Sequence, residues 1–248
     1  MRDAALSILR APATLASMKL VSRLGMLLIL FYALAVCPAR AQDSASIKIV
    51  ARETLPAEQI YLGDPPHKTT RELALTLVYF SGGDWPHETI LGVVRGAGML
   101  LAQCAILVPR IEFVRTDAPK RYHYFGTAVS RELARILNLA KPTVYFVTDT
   151  RQQPAFDAEA IGRGNSKSRP ELADTVWVTR TTRDPGIALA HELIHVLTNS
   201  GEHVDIPGNL MRDETTPENI DLTITQCAQI RDIGTQNGLL RETVTGDR

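Results

Sequence analysis

The chain has 248 residues, with 27 Lys+Arg balanced by 27 Asp+Glu, enough for one domain with a proper core or two small ones. That balance excludes the basic footprint of a nucleic-acid binder. Its longest apolar run falls well short of the ~20 residues a membrane span requires.

That run, Leu24 to Val36, follows Lys19 and Arg23 and precedes Pro38 and the small-x-small triplet Ala39-Arg40-Ala41. The order basic, apolar, small predicts a secretory signal peptide over residues 1–41, and hence export to the periplasm or beyond the cell, with no stable membrane span after cleavage. Met18 offers an ordinary signal-peptide beginning as an alternative start to Met1. Cys37 is a poor lipidation site, because Val36 stands where a small residue is expected. Without residues 1–41 the chain keeps 22 Lys+Arg against 26 Asp+Glu, a formal charge of −4 that suits a soluble exported protein. Two cysteines remain, Cys104 and Cys227, and an oxidising compartment permits them to pair.

Residues 42–71 read as a leader, with prolines and one short alternation at Ile47 to Val50, and the main domain spans residues 72–248. Leu75 to Phe80 is a strand closed by the turn residues Ser81 to Asp84. His87 to Ala105 carries apolar residues at helical spacing, with Asp84 before Pro86 as the start signal. Ile111 to Val114 is a short strand and Arg131 to Leu139 a short helix. Thr143 to Val147, the weaker Ala158 to Ile161, and Thr175 to Val178 with Thr179 complete the strands. Asp184 is placed to cap a helix with Pro185 at its first position, running through Leu197 and stopped by Asn199-Ser200-Gly201. A last helix spans about Thr223 to Leu240. The order predicts an α+β (or α/β-like) domain with helices packed on a sheet.

Three of the six histidines lie between His191 and Met211, in HELIHVLTNSGEHVDIPGNLM. On a helix, positions i and i+4 share a face, so His191 and His195 can offer two imidazoles to one ion. Glu192, rotated by about 100°, can reach a water at that ion without being a ligand. The rest of this helix is apolar, and unpaired buried imidazoles would be expensive. A zinc ion resolves that cost. The third ligand must come from beyond the helix. His203, just after Gly201, is the best placed; Asp205, Glu202, Glu214 and Glu218 are the alternatives. His67, His87 and His123 read as surface or cap residues, and Tyr145 and Trp177 as strand packing.

His191-Glu192-Leu193-Ile194-His195, a glycine turn, a third histidine and then Asn209-Leu210-Met211 resemble the metzincin zinc metalloproteases. The resemblance covers about residues 72–240. It implies three histidine ligands (His191, His195, His203) to a catalytic zinc, Glu192 as general base, and Met211 as a structural residue beneath the metal. It also implies a twisted mixed sheet whose edge strand, Ala158 to Ile161, binds extended peptide, backed by the helix from His87. The chain departs from the family in having Thr198 where a glycine is usual and in placing His203 two residues further on. A helix extended by half a turn before Gly201 would absorb those residues. No tyrosine follows Met211. The function expected is peptide-bond hydrolysis on a peptide or protein substrate. A gluzincin-like site with Glu214 or Glu218, a non-catalytic zinc-containing binding protein, and a hydrolase of non-peptide amides are the alternatives. Cys104 and Cys227, on the backing and final helices, could staple the two halves together.

Overall fold

The computed structural model describes residues 46–63, 66 and 70–243; the expected signal peptide and His67 lie outside them. The elements run β1 (Lys48–Pro56), α1 (Ala57–Tyr61), β2 (Arg71–Glu72), β3 (Leu75–Phe80), α2 (His87–Leu101), β4 (Ile106–Leu107), β5 (Arg110–Asp117), β6 (Tyr124–Phe125) and α3 (Thr127–Leu137). They continue with β7 (Thr143–Val147), β8 (Asp149–Thr150), β9 (Ala158–Ile161), β10 (Thr175–Thr179), α4 (Pro185–Thr198), α5 (Ile224–Gln236) and β11 (Arg241–Glu242).

The main sheet has the order β1-β5-β3-β7-β10-β9. Its interior pairings are parallel, and both edge strands, β1 and β9, pair antiparallel. The sheet is therefore mixed, and the fold is mixed α/β. Its central strands are apolar on both sides because both sides are covered. Leu75, Leu77, Val144, Phe146, Val176 and Val178 pack with Val94, Ala97, Leu189 and Leu193 of α2 and α4. The alternate residues Val78, Phe80, Tyr145, Val147 and Trp177 pack with Leu133 and Leu137 of α3. Tyr145 and Trp177 stack at 4.0 Å, as strand packing requires. Helices α2 and α4 meet where both chains are bare: a Cβ added to Gly186 would lie 3.3 Å from the Val93 carbonyl and 3.5 Å from the Gly96 Cα. That close approach seats α4 beneath the sheet, next to β9 and β10.

Residues 48–61 join the same layers. β1 pairs along β5, Leu55 and Ile60 enter the core, and Arg95 donates to the Ile60 carbonyl at 2.7 Å. Among the described residues no helix is long and apolar enough to cross a membrane.

Several local expectations need correction. Asp84 does not cap α2; its carboxylate accepts from the Thr148 hydroxyl at 2.9 Å. Asp184 precedes α4, but its side chain caps nothing, because Arg183 holds it at 2.8 Å. α3 begins at Thr127, four residues before Arg131, and α5 stops at Gln236 because Gly238 turns the chain at φ +72°. Thr223 does open α5, in a reciprocal capping box with Gln226. Cys104, in the turn after α2, and Cys227 of α5 are joined by a disulfide.

Candidate metal centre

Helix α4 presents His191 and His195 on one buried face. After Thr198 the chain leaves the helix through Asn199 in the left-handed conformation (φ 49°), with the Ser200 N–H donating to the His195 carbonyl at 3.2 Å. The helix is not extended to absorb the two extra residues; they lie in the irregular stretch after it. That stretch is held by the Val204 N–H, which donates to the Met211 carbonyl at 2.9 Å. The link returns His203 to the two helical histidines.

The three Nε2 atoms converge: His191 to His195 at 2.9 Å, and His203 to each of them at 3.2 Å. The other nitrogens of the two buried rings are engaged. His191 Nδ1 lies 2.8 Å from the Leu210 carbonyl and His195 Nδ1 2.7 Å from the Ser200 carbonyl. A carbonyl only accepts, so Nδ1 carries the proton in each ring and Nε2 is a bare lone pair. His203 Nδ1 lies 3.4 Å from Asp213 Oδ1, which favours the same tautomer. Lone pairs this close repel unless a cation stands among them. Zinc–nitrogen bonds of roughly 2.0–2.1 Å at tetrahedral angles place ligand nitrogens about 3.3 Å apart. The donor set fits zinc in both kind and spacing.

The electrostatics favour neutral, metal-ready rings at His191 and His195. Burial lowers the pKa of His191. Burial, and then the neighbouring His191, pulls His195 down to about 4. Burial pushes the Glu192 carboxyl up to about 7; the Ala160 N–H, which donates to it, works in the opposite direction, and nearby Glu159 adds to the rise. A carboxyl with that pKa can take a proton and give it back near neutral pH.

Among the described residues the metal-capable cluster contains these histidines alone. Asp205 is exposed and faces Arg212 at 3.4 Å, while Glu202 is exposed in the loop. Glu214 and Glu218 sit in an irregular stretch, not on a helix. His87 and His123 stay outside the cluster, packed on Phe113 and Phe80 at 4.2 and 4.4 Å.

Two clefts flank the histidines. One, of about 740 Å³, is lined by Ala158, Thr182, His191, Glu192, His203 and Thr216. The other, of about 420 Å³, is lined by Glu159, Gly162, Asn165, His195, Asn199 and again Glu192 and His203. β9 borders both, and among the described residues no strand pairs with its outer edge.

No protein-family model and no curated protein matches this sequence. Among solved structures, the chain is similar to metalloproteinase-II from Bacteroides fragilis, at 19% identity and a TM-score of 0.46, over 73% of this chain. The match spans 57% of that protein's chain.

The spacing of the three histidines gives no sign of what aims their rings. The Leu210 carbonyl that orients His191 belongs to a turn in which Asn209 Oδ1 accepts from the Met211 N–H at 2.9 Å. Asn209 and Gln226 also exchange amide hydrogen bonds, at 2.8 and 3.0 Å, which ties the turn to α5. Met211 is buried in the core that also holds Ile194 and Ile230. The frame leaves no signal in the sequence, because buried Asn209 and half-buried Gln226 are partners across 17 residues that no periodicity links.

Proposed function

We propose that the protein is an exported zinc-dependent endopeptidase of metzincin type. The observation that carries this reading is the convergence of the Nε2 atoms of His191, His195 and His203 within 3.2 Å of one another, beside the Glu192 carboxyl. His191, His195 and His203 would hold the zinc. A zinc ion so held supplies Lewis acidity towards the scissile carbonyl and makes water easier to deprotonate. Glu192 takes the water's proton on its carboxylate and returns it to the leaving amine. The free edge of β9 hydrogen-bonds an extended peptide as an added strand, and side chains on either side of the scissile bond enter the two clefts. Because clefts lie on both sides of the histidines, the substrate can continue in both directions, which supports internal cleavage. Export is inferred from residues 1–41 alone.

The test is elemental analysis of the purified chain beside digestion of a quenched-fluorescent peptide library. One zinc per chain, lost in His203→Ala, together with internal cleavage lost in Glu192→Gln, is the expected result. Zinc without cleavage of any peptide would leave a metal-containing binding protein, and no zinc would remove the reading altogether.

A further inference from the structure

A second pair of clefts lies over the starts of β3 and β5 and shares no lining residue with the metal clefts. One, of about 390 Å³, is lined by Thr54, Thr76, Glu112, Arg110, Lys141 and Arg241, among others. Its neighbour, of about 270 Å³, repeats Arg110, Lys141 and Arg241 and adds Glu72. The walls come from the start of β3, the start of β5, the residues before β7, and β11. Segments far apart in sequence thus bring three cations to one groove.

Carboxylates stand near these cations, Asp174 by Lys141 and Glu72 opposite Arg241 across the β2–β11 pair, but among the described residues none closes an ion pair with Arg110, Lys141 or Arg241. Most of the carboxylates around them are already engaged. Arg52 holds Glu112, Arg163 holds Asp174 at 3.0 Å, Arg131 holds Glu171 at 3.2 Å and Arg71 holds Glu242 at 3.3 Å. Glu72 is the one lining carboxylate without such a partner, so the groove keeps a surplus of positive charge. Lys141 stands in the wall common to both clefts. Its ammonium has three N–H donors, and the acceptor it finds is the Glu171 carbonyl at 3.3 Å. A half-buried ammonium left with donors to spare is costly unless a ligand meets it. Burial lowers its pKa to about 8 against the opposing pull of the Asp174 carboxylate, which still leaves it charged at neutral pH.

We propose that this groove is an anion site in which Arg110, Lys141 and Arg241 together bind the carboxylate or phosphate groups of an acidic ligand. Guanidinium forks match such oxyanions in pairs of parallel hydrogen bonds, and the lysine adds a point charge between them. The inference does not depend on the peptidase reading, since it uses none of the same residues.

Isothermal titration calorimetry of the full chain at fixed ionic strength tests it, with inorganic phosphate and tetraglutamate as probes and Arg115→Ala as the control for lost surface charge. Saturable binding of at least one probe is expected, weakened roughly tenfold or more by Arg110→Ala or by Arg241→Ala and unchanged by Arg115→Ala. Tetraglutamate alone would identify an acidic peptide segment as the ligand, and phosphate alone a phosphate group. Both substituted arginines are exposed, so an unchanged melting temperature separates lost binding from lost fold. Lys141→Met gives a third, independent loss. No binding of either probe, or binding that all three variants retain, overturns the proposal.

Discussion

The main sheet ends in two edge strands that are built in opposite ways. β1 is nine residues long and exposed along most of its length, yet it is guarded. Lys48, Arg52 and Glu53 put charge on it, the register slips between Ile49 and Ala51, and Pro56 closes it. Each of these is a known defence against pairing with another chain. β9 is four residues long, carries Ala158 and Ala160, and borders both metal clefts. The Ala160 N–H points away from β10 towards Glu192. The edge far from the histidines carries a bulge and a proline, and the edge beside them carries neither.

The largest test of that contrast is Glu192→Gln, which removes the proton carrier beside β9 without touching a ligand. We expect cleavage to fall by roughly 10²–10⁴-fold, with zinc content unchanged by elemental analysis. Next is the disulfide, which belongs to neither edge. Replacing Cys104 and Cys227 with serine opens a link across 123 residues and should cost about 2–4 kcal/mol in denaturant unfolding. Activity per folded molecule should survive; if it fell in proportion, the staple would be part of the site. A proline probe then separates the edges themselves. Ala158→Pro deletes an N–H outside the β10 ladder and should cut kcat/KM by roughly tenfold, whereas Val50→Pro, at the extra residue of the β1 bulge, should change it less than about twofold. Equal effects would abolish the distinction.

The smallest effect lies between the edges, at Lys141. Its folded-state pKa of about 8 is below the ordinary 10.5, so between those values the unfolded chain binds the extra proton and stability rises with pH. Below about pH 8 the penalty is complete. Thermal melts of Lys141→Met should lose this rise and show a modest gain at neutral pH.

The strands most visible in the sequence are those buried on both faces. Leu75–Phe80, Thr143–Val147 and Thr175–Thr179 are bounded by turn residues and rich in β-branched or aromatic side chains, so their limits could be read directly. β1 was hard to see beyond Ile47 to Val50 because exposure of both its faces leaves no alternation. α3 began early because Gly126, its N-cap, makes no side-chain bond and Thr127 to Val129 give no start signal. The two-residue strands β2, β4 and β11 are set wholly by distant partners. At the metal centre, helical spacing exposed His191 and His195, but His203 is brought in by Val204 and Met211 across a loop. The basic groove, drawn from residues 110, 141 and 241, has no trace in any local window.

The reciprocal amides of Asn209 and Gln226 give the C-terminal helix a say over the metal. The carbonyl that fixes the His191 tautomer is held by a turn anchored one residue from Cys227, the partner of Cys104. If the proposed site takes up a metal, that step becomes a checkpoint, because a nascent chain that has made α4 but not yet docked α5 holds the histidines without their frame. During oxidative refolding of the proposed zinc protein, zinc should be acquired in step with closure of the disulfide, once α5 is in place.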